Sequence, residues 1–226
     1  MIRKNHKGIF IVISGPSGAG KGTVCKELIK TSENLWLSVS MTTREPRDGE
    51  TNGVEYFFVS KEEFQKQIDE GNLLEYAIIH SNHYYGTPKA LISEYLNVGI
   101  DVILEIDING ALQIKENNKE ALFIFILPPS MEELKNRLIK RGTETKEKII
   151  ERFKRGYQEI NEITKYNYVV VNDELDKAVD KVKAIITAER CRVDRIEEVF
   201  LNNSEEVIHE KLISNKTFNN TDITID

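Results

Sequence analysis

The chain has 226 residues, 40% of them hydrophobic and 30% charged, with a formal net charge of −6. That length and composition suit one compact domain with small inserted lobes, and the acidic balance excludes a nucleic-acid coat or a polybasic membrane contact. Cys25 and Cys191 have no metal-type spacing and read as ordinary reduced thiols. No apolar run approaches the length of a membrane span, so a cytoplasmic chain is expected.

A basic start (Arg3, Lys4, Lys7) before Ile9 to Ile13 imitates a signal peptide, but the apolar run is too short and ends in a glycine loop rather than a cleavage site. The predicted strand Ile9 to Ser14 opens into Gly15-Pro16-Ser17-Gly18-Ala19-Gly20-Lys21-Gly22-Thr23, and a helical pattern follows at once with Val24, Leu28 and Ile29. Strand, glycine loop, helix is the context in which this spacing becomes a phosphate-binding claim. Gly15, Gly18 and Gly20 permit positive φ, so consecutive N–H groups can ring an anion at a helix N-terminus. Lys21 adds a mobile full charge for the β- and γ-phosphates. A plain glycine turn would require neither Lys21 nor the spacing. Gly22 stands where a magnesium-binding hydroxyl usually sits, with Thr23 one residue later, so a metal reached through water and phosphates is expected rather than a direct ligand.

After a strand at Trp36 to Ser40, the loop from Thr42 to Tyr56 carries Arg44 and Arg47 around Pro46 among many hydroxyls. Two guanidinium forks converging with the phenol of Tyr56 would bind a second phosphate group, where the bland alternative is a solvated basic loop. From Glu55 to Gly86 the pattern changes to short strands around one helix, capped by Ser60 and Glu63 and stopped at Gly71. This reads as an inserted lobe. Within it Glu75 matches guanine, which presents N1–H and N2–H₂ side by side to a carboxylate; adenine presents a bare N1 acceptor and is repelled. Ser40 or Thr87 would then donate to the guanine O6. Taken alone, Glu75 reads more readily as a surface carboxylate than as a base-binding one. His80 and His83 sit in no metal constellation.

Thr87-Pro88 opens a further helix that Gly99 closes. The buried strand Asp101 to Asp107 ends in Glu105-Ile106-Asp107, placing carboxylates at the carboxyl edge of a parallel sheet, where ligands bind. They suit water-mediated magnesium or the base. The strand Ala121 to Leu127 leads to Pro128-Pro129 and a helix capped by Ser130 and Glu133. Arg141-Gly142 ends that helix, and a second basic helix begins near Thr145. Arg137 and Arg141 share a helix face, and Arg152 lies beyond the glycine; opposite a phosphate loop they suit transition-state charge neutralisation by a closing lid. A last strand (Tyr168 to Val171) and a long helix to about Arg195 precede an Asn-rich polar tail, read as frayed.

In Gly-Pro-Ser-Gly-Ala-Gly-Lys, Ser-x-Ser-x-Thr-Thr-Arg-x-Pro-Arg-x-Gly-Glu, Tyr-Tyr-Gly-Thr-Pro, Glu-Ile-Asp, Pro-Pro-Ser-x-x-Glu-Leu, Arg-Gly-Thr-Glu-Thr and Val-Val-Asn-Asp-x-Leu, occurring in this order, the chain resembles the guanylate kinase family. The resemblance implies an α/β fold of the P-loop NTPase type, with three layers around a parallel central sheet. An inserted mixed α/β lobe would bind GMP and a helical lid would close over the site. The implied boundaries are a kinase-like domain at 7–190, with core 7–37, 96–130 and 157–195, GMP lobe 38–95 and lid 131–156, then a tail at 196–226. It further implies that Ser40, Arg44, Arg47, Tyr56, Glu75, Tyr85 and Thr87 line the GMP site, with Asp107 close by. Arg137, Arg141 and Arg152 would reach the ATP phosphates, and Asn172 and Asp173 would lie near the adenine. The sequence departs from the family at Gly22, at Asn109, and in an extra residue before Tyr84-Tyr85. The expected reaction is ATP-dependent phosphorylation of GMP to GDP with Mg²⁺. ATP and GMP, with dGMP as a further acceptor, are the expected partners of a monomer or homodimer that uses no nucleic acid or membrane.

Overall fold

The computed structural model describes residues 7–79, 83–140 and 146–195. Its elements in chain order begin with β1 (Phe10–Ser14), α1 (Lys21–Thr31), β2 (Leu35–Leu37), β3 (Ser40–Thr42), β4 (Tyr56–Phe58), α2 (Lys61–Asp69), β5 (Leu73–Ile79) and β6 (His83–Pro88). There follow α3 (Lys89–Asn97), β7 (Asp101–Glu105), α4 (Ile108–Asn117), β8 (Leu122–Leu127), α5 (Met131–Lys140), α6 (Lys146–Ile160), β9 (Tyr168–Val171) and α7 (Leu175–Glu189).

Residues Lys7–Ile185 form one compact unit. Its central sheet has the order β2-β7-β1-β8-β9, and all its pairings are parallel. The continuous apolar runs explain this. Ile11, Val12 and Ile13 are wholly buried, as are Val102, Ile103 and Leu104, so both faces of these strands are covered. Val12, Val102, Leu104 and Phe123 pack on one face with Ala111 and Ile114 of α4 and Ile92 of α3. The architecture is the expected P-loop type, and it brings the loops after β1, β7 and β9 to one carboxyl edge.

A second, four-stranded sheet has the order β4-β3-β6-β5. It mixes a parallel β3–β4 pair with antiparallel β3–β6 and β5–β6 pairs. The expected strand from Trp36 to Ser40 is broken here. It ends at Leu37, and Ser40 already pairs with Tyr56 in the second sheet, so residues 38–39 carry the chain from one sheet to the other. The helix α2 starts as its cap predicts, with the Ser60 hydroxyl accepting from the Glu63 N–H at 3.1 Å. Its Phe64 is fully buried and packs on Tyr84. Truncating Phe64 to alanine would cost the lobe roughly 3–5 kcal/mol.

The lid helices are α5 and α6. The latter runs past the expected boundary at 156 to Ile160, which brings Glu159 into the site. Arg141, the Arg141-Gly142 hinge, His80 and the tail from residue 196 lie outside the described residues. The helix expected to reach Arg195 stops at Glu189, where the N–H groups of Cys191 and Arg192 turn to carbonyls three residues back, tightening the last turn. Residues 186–195 are the described part of a second compact unit, in which Arg192 and Arg195 both donate to Glu189.

Candidate active site

A cavity of about 790 Å³ opens at the carboxyl edge of the central sheet. One wall is the phosphate loop, with Gly15, Ser17, Gly18, Gly20, Lys21, Gly22 and Thr23 all lining it. Gly20 has φ 91°, and a Cβ there would meet the Asn172 amide nitrogen at 2.3 Å. Both the backbone angle and the contact require glycine. Asn172, at the end of β9, donates from Nδ2 to the Ala19 carbonyl at 2.9 Å and so braces the loop from behind. Arg137 does likewise, donating to the carbonyls of Asn172 at 3.1 Å and Ala19 at 3.4 Å, while its Nε is held by Glu133 at 2.7 Å. Asp173 is at the protein surface, where the Glu174 N–H lowers its pKa.

Lys21 donates from Nζ to the Gly15 carbonyl at 2.7 Å and to that of Pro16 at 3.3 Å. Burial lowers its pKa; Glu105, Glu159 and Asp107 oppose that shift and favour the ammonium. Beneath the loop, burial holds the Cys25 thiol well above its ordinary pKa, so it stays protonated.

The opposite wall is acidic at its base and basic on the lid. Glu105 and Asp107 line it from the core, and Lys148, Glu151, Arg152, Arg155 and Glu159 line it from α6. Asp107 caps α4, accepting the Gly110 N–H at 2.9 Å through one oxygen, while its other oxygen faces Arg155 at 3.5 Å. A Cβ at position 22 would sit 3.2 and 3.3 Å from the two Glu105 oxygens. Carboxylate oxygens therefore stand beside the place where a loop hydroxyl would otherwise project. Among the described residues no three His, Cys, Asp or Glu side chains converge as a metal cage. This donor set fits Mg²⁺ brought in on phosphates and keeping several waters.

The inserted lobe groups its predicted residues in two places, Arg44, Tyr56 and Tyr85 in one and Glu75 with Thr87 in the other. Arg44 forms a bidentate pair with Glu50, both bonds at 2.9 Å, and its guanidinium carbon lies 5.4 Å from the Tyr56 ring centre and 5.6 Å from that of Phe58. Arg47 reaches the main cavity. Strand alternation separates the adjacent tyrosines: Tyr84 packs on Phe64, whereas Tyr85 meets Tyr56 edge-on at 5.9 Å. Burial raises the Tyr56 pKa. Ser40 opens β3, the central partner of β4 and β6.

Glu75 on β5 is only 7% exposed. Its Oε1 accepts the Thr87 hydroxyl at 2.7 Å, and its Oε2 is so close to α4 that a Cβ at Gly110 would stand 2.8 Å away. Burial pushes its pKa up to about 7; the Thr87 bond works against that shift, and the nearby Asp107 charge adds to it. With one hydrogen-bond donor among the described residues, this buried carboxylate is short of partners there. Thr87, expected as a donor to a base, gives its hydrogen to Glu75.

Sequence reasoning missed Glu50, Arg155, Glu159 and Gly110. Glu50 alone had a local signal, an acid closing the segment Arg44-Glu45-Pro46-Arg47-Asp48-Gly49-Glu50. The others act through long-range approach.

The family model "Guanylate kinase" matches residues 7–189. The chain is 63% identical over 207 residues to the guanylate kinase of Clostridium tetani, covering 92% of this chain and 99% of that one. It is 58% identical to the guanylate kinase of Caldanaerobacter subterraneus, covering 89% and 98%. Among solved structures it is similar to guanylate kinase from Anaplasma phagocytophilum, with a TM-score of 0.71, 32% identity, and coverage of 86% of this chain and 92% of that one. The chain belongs to the guanylate kinase family.

Proposed function

We propose that ATP and GMP meet phosphate to phosphate in this cavity, ATP on the loop after β1 and GMP on the inserted lobe. The overall reaction comes with the family: the protein is an ATP-using kinase that phosphorylates GMP to GDP. The division of labour among its residues is our reading.

Glu75 carries that reading. Among the described residues its buried carboxylate has one donor, Thr87, and guanine N1–H and N2–H₂ are the donors that would complete it. Adenine would place an acceptor against it instead. Thr87 orients the carboxylate, and Ser40 serves O6. Arg44, Arg47, Tyr56 and Tyr85 take the GMP phosphate, a dianion whose second pKa is about 6. The nucleophilic oxygen is then already deprotonated, and the site needs no general base. What remains is alignment and neutralisation of charge on the transferring phosphoryl group.

Backbone N–H groups from Gly15 to Thr23, including Pro16, Ser17 and Ala19 in the turn, shape the ATP phosphate cradle. Lys21 is carried to the β- and γ-phosphates. Arg152 reaches the same phosphates from α6; Arg141, outside the described residues, is assigned to them on the family resemblance alone. Arg137 and Asn172 hold the cradle's shape through Ala19. Glu105 and Asp107 would hold Mg²⁺ through water and the substrate phosphates, and the ion would there supply neutralisation of the charge on the transferring phosphoryl group. Closure of the lid over 131–156 onto the core would exclude the water that competes for the phosphoryl group. A cytoplasmic enzyme suits two reduced thiols and described helices too short or too polar to cross a membrane.

The test is ADP formation from MgATP with GMP, AMP, CMP and UMP offered separately. Turnover with GMP alone is expected. Turnover with another monophosphate would discard the role given to Glu75, and no turnover in folded protein would discard the assigned machinery.

A further inference from the structure

The residue at issue is Arg44, and the inference rests on the reading that Arg44 takes the acceptor phosphate. A guanidinium offers five N–H donors on a rigid plane. They form two bidentate edges, an end-on edge from Nη1 and Nη2 and a side-on edge from Nε and Nη2. Glu50 occupies the end-on edge, with Nη1 to Oε2 and Nη2 to Oε1 both at 2.9 Å. The second Nη1 hydrogen goes to the Glu45 carbonyl at 2.6 Å. What is left is the side-on edge: its Nε is buried without an acceptor, and the guanidinium also shares a hydrogen bond with the Tyr85 side chain, which is assigned to the same phosphate.

Glu50 is itself fixed. Its Oε2 also accepts the Arg47 N–H at 2.8 Å, and its own N–H returns to the Arg47 carbonyl at 3.0 Å. The intervening turn passes through Gly49 at φ 84°. The Arg44 and Glu50 side chains are 12% and 17% exposed, so the pair is shielded from competing water. The neighbouring rings of Tyr56 and Phe58 lie against the guanidinium, their centres 5.4 and 5.6 Å from its carbon. One carboxylate thus ties together both arginines of the loop and fixes which edge of Arg44 remains available.

We propose that Glu50 is the positioning residue of the acceptor-phosphate site, remaining on the end-on edge of Arg44 while the Nε/Nη2 edge receives a phosphate monoester dianion. The alternative is that the carboxylate merely occupies the phosphate's place and is displaced by it. The two predict opposite signs. A positioning carboxylate, once removed, weakens the phosphate ester; a displaced competitor, once removed, strengthens it.

The experiment is calorimetric binding of GMP and of guanosine to the full chain and to its Glu50→Gln, Glu50→Ala and Arg44→Ala variants. Glu50→Ala should weaken GMP roughly ten- to a hundredfold, the size expected for losing a charge-assisted bidentate pair. Glu50→Gln, which keeps the volume but turns an NH₂ toward Nη, should also weaken GMP, by less. Guanosine affinity and the KM for MgATP should stay within about twofold, since neither involves this edge. Tighter GMP binding by Glu50→Ala would overturn the proposal in favour of displacement. Unchanged GMP binding by both Glu50 variants, with Arg44→Ala impaired, would overturn it and leave the phosphate reading intact. Equal losses of GMP and guanosine in Glu50→Gln would reduce Glu50 to a fold-holding role and overturn it. Unchanged GMP affinity in Arg44→Ala would overturn the underlying reading itself.

Discussion

The phosphate loop and the inserted lobe are both built for phosphate, but from different parts of the chain. The loop uses main-chain N–H groups strung between β1 and α1, and its supports, Asn172 and Arg137, grip the carbonyl of Ala19 from behind. The lobe uses side chains, and each of them leans on another: Arg44 on Glu50, Tyr85 on Tyr56, Glu75 on Thr87. A main-chain site is set by local geometry and tolerates change in its neighbours. A side-chain site is selective because every group has been oriented, and it is correspondingly easy to disorganise.

The sharpest break of this contrast comes from the charged side chain that the loop itself contributes to the site. Lys21→Ala should reduce kcat by on the order of a thousandfold, the scale of removing a charge from a transferring phosphoryl group, with thermal unfolding nearly unchanged. Retention of half the activity would contradict the role given to it. Arg152, on the cavity wall but away from the loop, should matter next: Arg152→Ala is expected to lower kcat roughly a hundredfold while leaving GMP binding alone. A rise in the KM for GMP without loss of kcat would move Arg152 from the donor side to the acceptor side.

For the lobe, the expected signature is a conflict between stability and function. The folded-state pKa of Glu75, about 7, lies above its ordinary value of 4.5. The folded protein therefore holds this proton more tightly than the unfolded chain. The resulting stabilisation is full below about 4.5 and disappears as pH rises to about 7, amounting to about 3 kcal/mol. Glu75→Gln should thus be the more stable protein at pH 8 in denaturant melts, and close to wild type at pH 4. GMP affinity of the wild type should run the other way, falling as pH drops below about 7, because only the carboxylate accepts both guanine donors. A Glu75→Gln variant less stable at pH 8 would contradict the description of this group.

The smallest effect is expected at Arg155, which joins α6 to Asp107 at 3.5 Å while remaining 41% exposed. An exposed pair of this kind contributes about 1 kcal/mol at most. Arg155→Ala should shift the KM for GMP by less than about fivefold, and a larger loss of kcat would promote Arg155 to the phosphate machinery.

The same contrast explains what could be read from the residues in order. The phosphate loop, the Ser60 cap and the glycine stops at Gly71 and Gly99 are local devices, and each is where its spacing placed it. The break after Leu37 was hidden, because Trp36 to Ser40 is apolar enough to read as one strand; only pairing with Tyr56 assigns Ser40 to the other sheet. The choice between Tyr84 and Tyr85 waits on strand register, which sends one to Phe64 and the other to Tyr56. Gly110 shows no local need for glycine, since its constraint is the Glu75 carboxylate arriving from β5. Arg137 reads as a phosphate ligand from its place on α5, yet its guanidinium contacts are to carbonyls behind the loop.

The most direct measurement is kcat/KM for GMP and for AMP, taken on wild type and on Glu75→Gln at pH 8. The wild type should prefer GMP strongly, and the substitution should collapse that preference by on the order of a hundredfold or more, mainly through loss with GMP. A Glu75→Gln enzyme that kept the full preference for GMP would show that the base is read elsewhere.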